Sequence, residues 1–219
     1  MTTSRFEAVI FDMDGVLVDG EPMHFAAVNQ LLATEGKSIS LERYKPYMGT
    51  KTGWVDMIAD FNLPGSREHY SALYRETMLA SYRERSEALP GAVALVRALQ
   101  AGHMPLAIAS SSIRPWVEAC LDRIGLLDAF DEIVTGSEVE RGKPAPDIYL
   151  LTAERLGVEP RSCLVFEDAP AGIESAKNAG MVCWAVRTEY TRGLELPGPQ
   201  RELESLVGVQ PAEILSVAA

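Results

Sequence analysis

Two aspartates that follow a short apolar run are the first residues in this chain whose chemistry stands out. Ala8–Phe11 has the pattern of a buried strand, and Asp12, Asp14 and Gly15 follow it directly. A strand of this kind delivers carboxylates onto a glycine turn at the carboxyl edge of a sheet, where open α/β proteins bind ligands. An acidic surface turn is the ordinary alternative, and this motif alone leaves both interpretations open.

Further polar groups follow later apolar runs or rigid turns. Ser110 ends one run, Glu167 and Asp168 end another, and Lys143 lies in the turn G-K-P-A-P-D at 142–147. Taken singly, the serine is typical of a turn, the acids of a helix N-terminus and the lysine of a solvated surface. Together they would supply oxygen ligands for a cation and a positive charge for an anion.

A divalent cation would explain why so many acids converge. Carboxylates gathered at one edge repel each other and do not stay ionised alone. Mg²⁺ prefers oxygen ligands and is typically bound by one or two carboxylates and a substrate phosphate. We therefore expect Mg²⁺ at this edge, with suitable ligands in Asp12, Glu167, Asp168 and the main-chain carbonyl of Asp14.

The elements that must position these groups alternate along the chain. Apolar runs predict five strands, at Ala8–Phe11, Pro105–Ala109, Glu132–Thr135, Ser162–Phe166 and Met181–Val186. Because helix patterns separate the last four, we expect right-handed crossovers and a parallel, Rossmann-like α/β sheet. All strands of such a sheet end at one edge, so the polar groups should meet there. After residue 187 we expect only short helical pieces.

A second unit interrupts this pattern after the first strand. Helix patterns at Met23–Ala33, Leu41–Tyr47, Gly53–Phe61 and Ser66–Arg85 follow one another without a strand. We therefore predict an α/β core formed by 1–19 and 88–219, with an all-helical insertion at 20–87. Since the insertion leaves directly after the first acidic turn, we expect it to act as a cap over the site.

Composition narrows the class of protein. A net charge of −11 argues against nucleic acid or an anionic membrane as partner. No apolar run reaches membrane-spanning length, and the first seven residues do not resemble a secretion signal. Cys120, Cys163 and Cys183 lie in apolar contexts without metal-like spacing. We therefore expect reduced core cysteines in a cytoplasmic protein.

Four separated motifs resemble a known superfamily. They are FDMDGVLVDGEPMH at 11–24, the strand end at Ser110, GKPAPD at 142–147 and FEDAPAGIESAKNAG at 166–180. Their order and spacing resemble the haloacid-dehalogenase-like phosphohydrolases over nearly the whole chain. The DGVLVD…EP form followed by a helical cap is similar to the branch of β-phosphoglucomutases and sugar-phosphate phosphatases.

This resemblance implies roles for the core residues. Asp12 resembles the nucleophile that becomes an aspartyl phosphate, and Asp14 resembles the general acid–base. Ser110 and Lys143 resemble the residues that hold the phosphoryl oxygens. Haloacid dehalogenases themselves lack the second acid, so Asp14 favours phosphoryl transfer over carbon–halogen cleavage.

Substrate contacts are expected beside these groups. The set predicted to bind substrate is His24, Gly49, Thr50, Lys51, Arg75 and Ser111. The resemblance is weaker in the cap, because mutases carry an arginine where this chain has Thr52. Gly20 also stands where relatives usually have a hydroxyl side chain. His24 could equally be an ordinary surface histidine, and Lys51 an ordinary surface lysine.

These observations favour a Mg²⁺-dependent phosphatase that hydrolyses a small phosphorylated metabolite, specifically a sugar phosphate. A hexose-phosphate mutase that uses the same aspartyl phosphate is the alternative, and a non-catalytic binding protein on this fold is the third. We expect a monomer whose partner is the small substrate alone.

Overall fold

The computed structural model describes residues 6–44, 47 and 53–215. The chain forms two compact units, one of residues 1–19 with 86–219 and one of Gly20–Arg85. The predicted boundary of the insertion was 20–87; its role as a cap stays a prediction. In the part of the chain that the structure describes, no helix combines the length and apolarity needed to cross a membrane.

A parallel sheet forms the centre of the first unit. Its strands are β1 (Ala8–Phe11), β2 (Leu106–Ser110), β3 (Glu132–Thr135), β4 (Cys163–Glu167), β5 (Val182–Val186) and β6 (Arg201–Leu203). Every neighbouring pair is parallel, and the spatial order is β3-β2-β1-β4-β5-β6. The predicted α/β class is thereby confirmed.

The central strands are apolar because both of their faces are covered. All side chains of β1, β2 and β4 are buried. The helices of this unit are α5 (Ala92–Ala101), α6 (Arg114–Arg123), α7 (Asp147–Leu156), α8 (Pro170–Asn178) and α9 (Pro211–Leu215). The three cysteines are buried and form no disulfide, as their apolar contexts predict.

One strand differs from the prediction. We expected five strands and only helical pieces after residue 187, but β6 pairs with β5 through Trp184 and Arg201. Only Leu203 of the three β6 residues is buried, so β6 has no apolar run to signal it. Its strand conformation comes from pairing with β5 at the sheet edge.

The inserted unit is helical in all its described elements. They are α1 (Glu21–Thr34), α2 (Leu41–Tyr44), α3 (Gly53–Phe61) and α4 (Arg67–Arg85). The predicted second helix extended to Tyr47; α2 ends at Tyr44, and residues 45–46 lie outside the described residues. The unit has its own core, formed by Val28, Leu32, Ile39, Tyr44, Met57, Phe61, Leu63 and Tyr70.

The chain leaves the core unit for the insertion and re-enters it at two segments that lie side by side. Val18 pairs antiparallel with Ala88. The Leu89 amide donates a hydrogen bond to the Leu17 carbonyl at 2.8 Å. The two connections to the insertion therefore start from one hydrogen-bonded pair of segments.

Candidate active site

Asp12 and Asp14 lie on the turn that follows β1. The Asp12 amide continues the strand pairing by donating to the Phe166 carbonyl at 2.9 Å. Gly15 then takes a φ of +82°, which favours glycine. A Cβ atom on Gly15 would lie 2.1 Å from a carboxylate oxygen of Asp168. Glycine is therefore required here both for the turn and for the close approach of Asp168.

Lys143 is buried among the acids. Its Nζ donates to Oδ1 of Asp12 at 2.6 Å, to Oε1 of Glu167 at 2.7 Å and to the Ala109 carbonyl at 3.0 Å. Its side chain is only 8% exposed. The turn that carries it is fixed from α8, where Ser175 Oγ donates to the Ala145 carbonyl at 2.6 Å. The ammonium group therefore joins the ends of β1, β2 and β4.

Glu167 is held by donors on both of its oxygens. Oε1 accepts from Lys143 and from the Tyr149 hydroxyl, the latter at 2.9 Å. Oε2 accepts from the amides of Asp168 and Ala169 at 2.9 and 3.0 Å. Four donors thus fix the orientation of a carboxylate that is almost completely buried.

Burial shapes the charges of this cluster. It raises the pKa of Asp12 from 3.8 to about 7, against the opposing effect of Lys143. Burial, and then the charge of Glu167, also raise the pKa of Asp168 well above its usual value. Burial alone would lower the pKa of Lys143, but attraction by Asp12 and Glu167 outweighs it and raises that pKa. The cluster is therefore short of positive charge.

A divalent cation fits this shortage. Asp12, Glu167 and Asp168 each offer a carboxylate oxygen, and these oxygens lie within 4.8 Å of one another. All donors are oxygens, the ligand type that hard cations prefer. Since both oxygens of Glu167 already accept two hydrogen bonds each, Asp12 and Asp168 are better placed for direct coordination than Glu167 is.

The serine run after β2 contacts the same turn. Ser110 is the last residue of β2 and is buried, and its Oγ accepts from the Ser112 amide at 3.1 Å. Ser112 Oγ donates to Oδ2 of Asp14 at 3.1 Å. Ser111, between them, is exposed. Ser110 and Ser112 therefore belong to the site edge, whereas the side chain of Ser111 is accessible to solvent.

The structure thus brings together the core residues that the sequence predicted. Hydrogen bonds join Asp12, Lys143 and Glu167 directly, and a carboxylate oxygen of Asp168 lies within 4.8 Å of carboxylate oxygens of Asp12 and Glu167. The arrangement combines a buried carboxylate and a buried ammonium beside a candidate cation site. It can hold an anion against Lys143 and present the Asp12 carboxylate to it.

Two of the residues predicted to bind substrate from the insertion, His24 and Arg75, lie among the described residues. The His24 ring lies within hydrogen-bond distance of the Tyr74 hydroxyl at 2.5 Å and of the Tyr82 hydroxyl at 3.2 Å. Arg75 is exposed on α4. Gly49, Thr50 and Lys51 lie outside the described residues.

Three contributors to the site were missed by the sequence analysis. Tyr149 lies in the helix pattern between the third and fourth predicted strands, where nothing distinguishes it from a core aromatic residue, yet it donates to Glu167. Ser112 lies in the bend directly after β2, and its place in the serine run that follows the strand is the available signal. Gly172 lies so close that a Cβ there would be 1.7 Å from Oε1 of Glu167. A glycine inside a helix pattern is the available signal for such a close approach.

Comparison with known proteins identifies the family. A family model described as haloacid dehalogenase-like hydrolase matches residues 6–180. The chain belongs to the haloacid dehalogenase-like hydrolases. The phosphorylated carbohydrates phosphatase of Thermotoga maritima is 34% identical to this hydrolase over 214 residues, which cover 96% of this chain and 97% of the relative.

Two further relatives show the same likeness. The fructose-1-phosphate phosphatase YqaB of Escherichia coli is 35% identical to this hydrolase over 185 residues, covering 84% of this chain and 97% of YqaB. A solved structure of CbbY from Rhodobacter sphaeroides, in complex with xylulose-(1,5)bisphosphate, superposes with a TM-score of 0.86 at 29% identity. That match covers 97% of this hydrolase and 100% of the CbbY chain. The superfamily predicted from the four motifs is therefore confirmed.

Proposed function

We propose that this hydrolase is a Mg²⁺-dependent phosphatase that cleaves a phosphorylated carbohydrate through an aspartyl phosphate on Asp12. The observation that carries the proposal is the bridge from Lys143 to Asp12 and Glu167, at 2.6 and 2.7 Å. An ammonium group beside a buried carboxylate supports the binding of a phosphate next to the proposed nucleophile. The two phosphatase relatives, one of phosphorylated carbohydrates and one of fructose 1-phosphate, support a carbohydrate substrate.

In the first step, a carboxylate oxygen of Asp12 bonds to phosphorus while the bond from phosphorus to the leaving oxygen breaks. Asp14 gives its proton to that leaving oxygen. Lys143 and Ser110 hold the phosphoryl oxygens as charge moves onto the leaving group. The carbohydrate departs as an alcohol, and the phosphoryl group stays on Asp12.

In the second step, a water oxygen bonds to phosphorus and the bond to Asp12 breaks. Asp14, now ionised, takes a proton from that water. Inorganic phosphate leaves, and both aspartates return to their starting forms. The carboxylates of Asp12 and Asp168 and the carbonyl of Asp14 would hold Mg²⁺, with Glu167 beside them. When bound, Mg²⁺ supplies positive charge that offsets the charge on the phosphoryl oxygens.

We propose that residues 20–87 act as a cap that selects the carbohydrate. His24, Gly49, Thr50, Lys51 and Arg75 are the proposed contacts from the insertion, with Ser111 from the core. Both ring nitrogens of His24 already lie within hydrogen-bond distance of tyrosine hydroxyls. A direct contact from His24 to the substrate would therefore have to compete with these tyrosines. The cytoplasmic monomer expected from the sequence stays a prediction.

Phosphate release from a panel of compounds tests the function. The panel contains sugar phosphates, polyol phosphates and short phosphorylated acids, each with Mg²⁺ and with excess EDTA. We expect Mg²⁺-dependent release that is fastest with a carbohydrate. The Asp12→Asn variant is the matched control for contaminating phosphatases. Release from no compound would contradict the phosphatase and favour a binding protein.

One arm of this experiment separates phosphatase from mutase. Both reactions begin with phosphoryl transfer to Asp12, but a mutase returns the phosphoryl group to a sugar. β-Glucose 1-phosphate is supplied with a trace of glucose 1,6-bisphosphate and Mg²⁺, and free phosphate and glucose 6-phosphate are measured together. Net release of phosphate supports the proposal. Accumulation of glucose 6-phosphate with little free phosphate would identify a mutase.

A further inference from the structure

Ser112 contacts two residues of the proposed catalytic set through different atoms. Its amide donates to Ser110 Oγ at 3.1 Å, and its hydroxyl donates to Oδ2 of Asp14 at 3.1 Å. It is half-buried, as Asp14 is. Ser112 therefore links the end of β2 to the turn after β1 through a side-chain hydrogen bond.

This placement follows from the backbone of the serine run. Ser110 ends β2, and Ser111 and Ser112 form a bend directly after it, in which the Ser112 amide donates to Ser110 Oγ. Ser110 and Ser112 accordingly reach the site edge while Ser111 is exposed. Gly136, after β3, lets the run pack closely, because a Cβ there would lie 2.8 Å from the Ser111 carbonyl oxygen. The bend that carries Ser112 is thus held by its own hydrogen bond to Ser110 and by the close packing of Gly136 against Ser111.

The hydrogen bond to Asp14 distinguishes its two oxygens. A protonated carboxyl group carries its proton on one oxygen and accepts hydrogen bonds best on the other. The Ser112 hydroxyl lies at Oδ2, so its donation there would leave Oδ1 as the oxygen that carries the proton of a protonated Asp14. A general acid must bring its proton within hydrogen-bond reach of the leaving oxygen, so the choice of oxygen and the orientation of the carboxyl group both matter.

We propose that Ser112 is a positioning residue that orients Asp14 for proton transfer, with Oδ2 as acceptor and Oδ1 as the proton-bearing oxygen. The inference rests on the proposed phosphatase function. In the first step, the Oδ1 proton moves to the leaving oxygen as the bond from phosphorus to that oxygen breaks. In the second step, Oδ1 accepts a proton from the attacking water, and Ser112 keeps its bond to Oδ2 throughout.

A pair of substrates that differ in their need for a proton tests this role. p-Nitrophenyl phosphate releases a stabilised phenolate that leaves without protonation, whereas benzyl phosphate, of similar size, releases an alkoxide that requires it. The measured quantity is kcat/KM, which reports the steps up to the first irreversible one and so includes departure of the leaving group.

Ser112→Ala should lower kcat/KM for benzyl phosphate by about 10–100-fold and for p-nitrophenyl phosphate by less than about threefold. General acid catalysis contributes about 10²–10⁴-fold, and misorientation forfeits part of that. Ser112→Thr, which keeps the hydroxyl, should restore most of the benzyl phosphate rate. In an Asp14→Asn background, Ser112→Ala should have little further effect on the ratio of the two rates.

Failure of the proposed phosphatase activity and failure of the proposed role of Ser112 give different results. A wild-type enzyme that hydrolyses neither compound contradicts the phosphatase proposal and the inference with it. An active wild type whose Ser112→Ala variant slows both substrates by one common factor, or neither, contradicts only the role of Ser112. Circular dichroism and thermal unfolding of each variant show that it is folded before rates are compared.

Discussion

Gly172 lies in the first turn of α8, against the carboxylate of Glu167. A Cβ at this position would lie 1.7 Å from Oε1 of Glu167 and 2.0 Å from its carboxyl carbon. A methyl group and the carboxylate cannot both occupy this space. We therefore expect Gly172→Ala to displace the Glu167 side chain from its four donors and to lower both stability and activity.

The size of the effect follows from those hydrogen bonds. A hydrogen bond to a charged group contributes about 1.5–3 kcal/mol, so losing two of the four costs about 3–6 kcal/mol. Alanine is better than glycine inside a helix by about 1 kcal/mol, which offsets part of this loss. The free energy of unfolding should therefore fall by about 2–5 kcal/mol, and Tm by about 5–15 °C.

Urea unfolding in two backgrounds isolates the cause. In Glu167→Ala protein the carboxylate is gone, so Gly172→Ala should be neutral or should stabilise by up to about 1 kcal/mol through helix propensity. The effect of one substitution therefore changes sign between the backgrounds. All four proteins are unfolded in EDTA, so that metal binding does not contribute. If Gly172→Ala destabilises both backgrounds equally, the clash with Glu167 is not the cause and the reasoning is wrong.

Three further predictions follow from the same site and the network beside it. Asp12→Asn should keep the circular dichroism spectrum of the wild type but lose essentially all phosphate release, because an amide cannot become an acyl phosphate under these conditions; a variant at wild-type rate would exclude the covalent mechanism. Excess EDTA should abolish activity, Mg²⁺ should restore it, and Ca²⁺ should restore it poorly because its coordination is looser; full activity in chelator would refute the metal requirement. Although burial would raise the pKa of Glu138, hydrogen bonds from Arg155 and Thr135 lower it from 4.5 to about 2. The stabilisation from Glu138 is therefore present above about pH 4.5 and lost as pH falls towards 2. Because water screens this half-exposed network, the advantage of wild type over Glu138→Gln should be about 1–2 kcal/mol at neutral pH and should shrink across that window. A pH-independent difference in urea unfolding would contradict this.

The parts of the fold that the sequence predicts well are those with strong local signals. β1 and β3 have the predicted bounds, because apolar runs and turn residues mark both ends. Other strand limits shift by one residue, since pairing with a neighbour decides where a ladder stops. β6 could not be predicted from local pattern, because its charged residues form a strand only through pairing with β5.

The candidate site likewise contains residues that the sequence predicts and contacts that it does not. Strand ends and parallel topology predict that Asp12, Ser110 and Glu167 meet at one edge, and the structure places them there. The contact from Tyr149 to Glu167 could not be predicted, because it depends on how α7 packs on β2 and β3 and so directs the Tyr149 hydroxyl to the end of β4. The two tyrosines that pair with His24 come from α4, far along the chain from α1. Side-chain partners set by packing leave no local trace in the sequence.

The hydrogen-bonded segments through which the chain leaves and re-enters the core have an evolutionary consequence. Leu17 and Leu89 are joined at 2.8 Å, so for the core the whole insertion amounts to one long loop with adjacent ends. Loop length is thermodynamically inexpensive, at about 0.6 kcal/mol for each doubling. Lengthening or replacing the inserted unit should therefore change the stability of the core, and the positions of Asp12 and Lys143, very little. If the insertion selects the substrate as proposed, reaction chemistry and substrate choice lie in separate segments of the chain and can evolve at different rates.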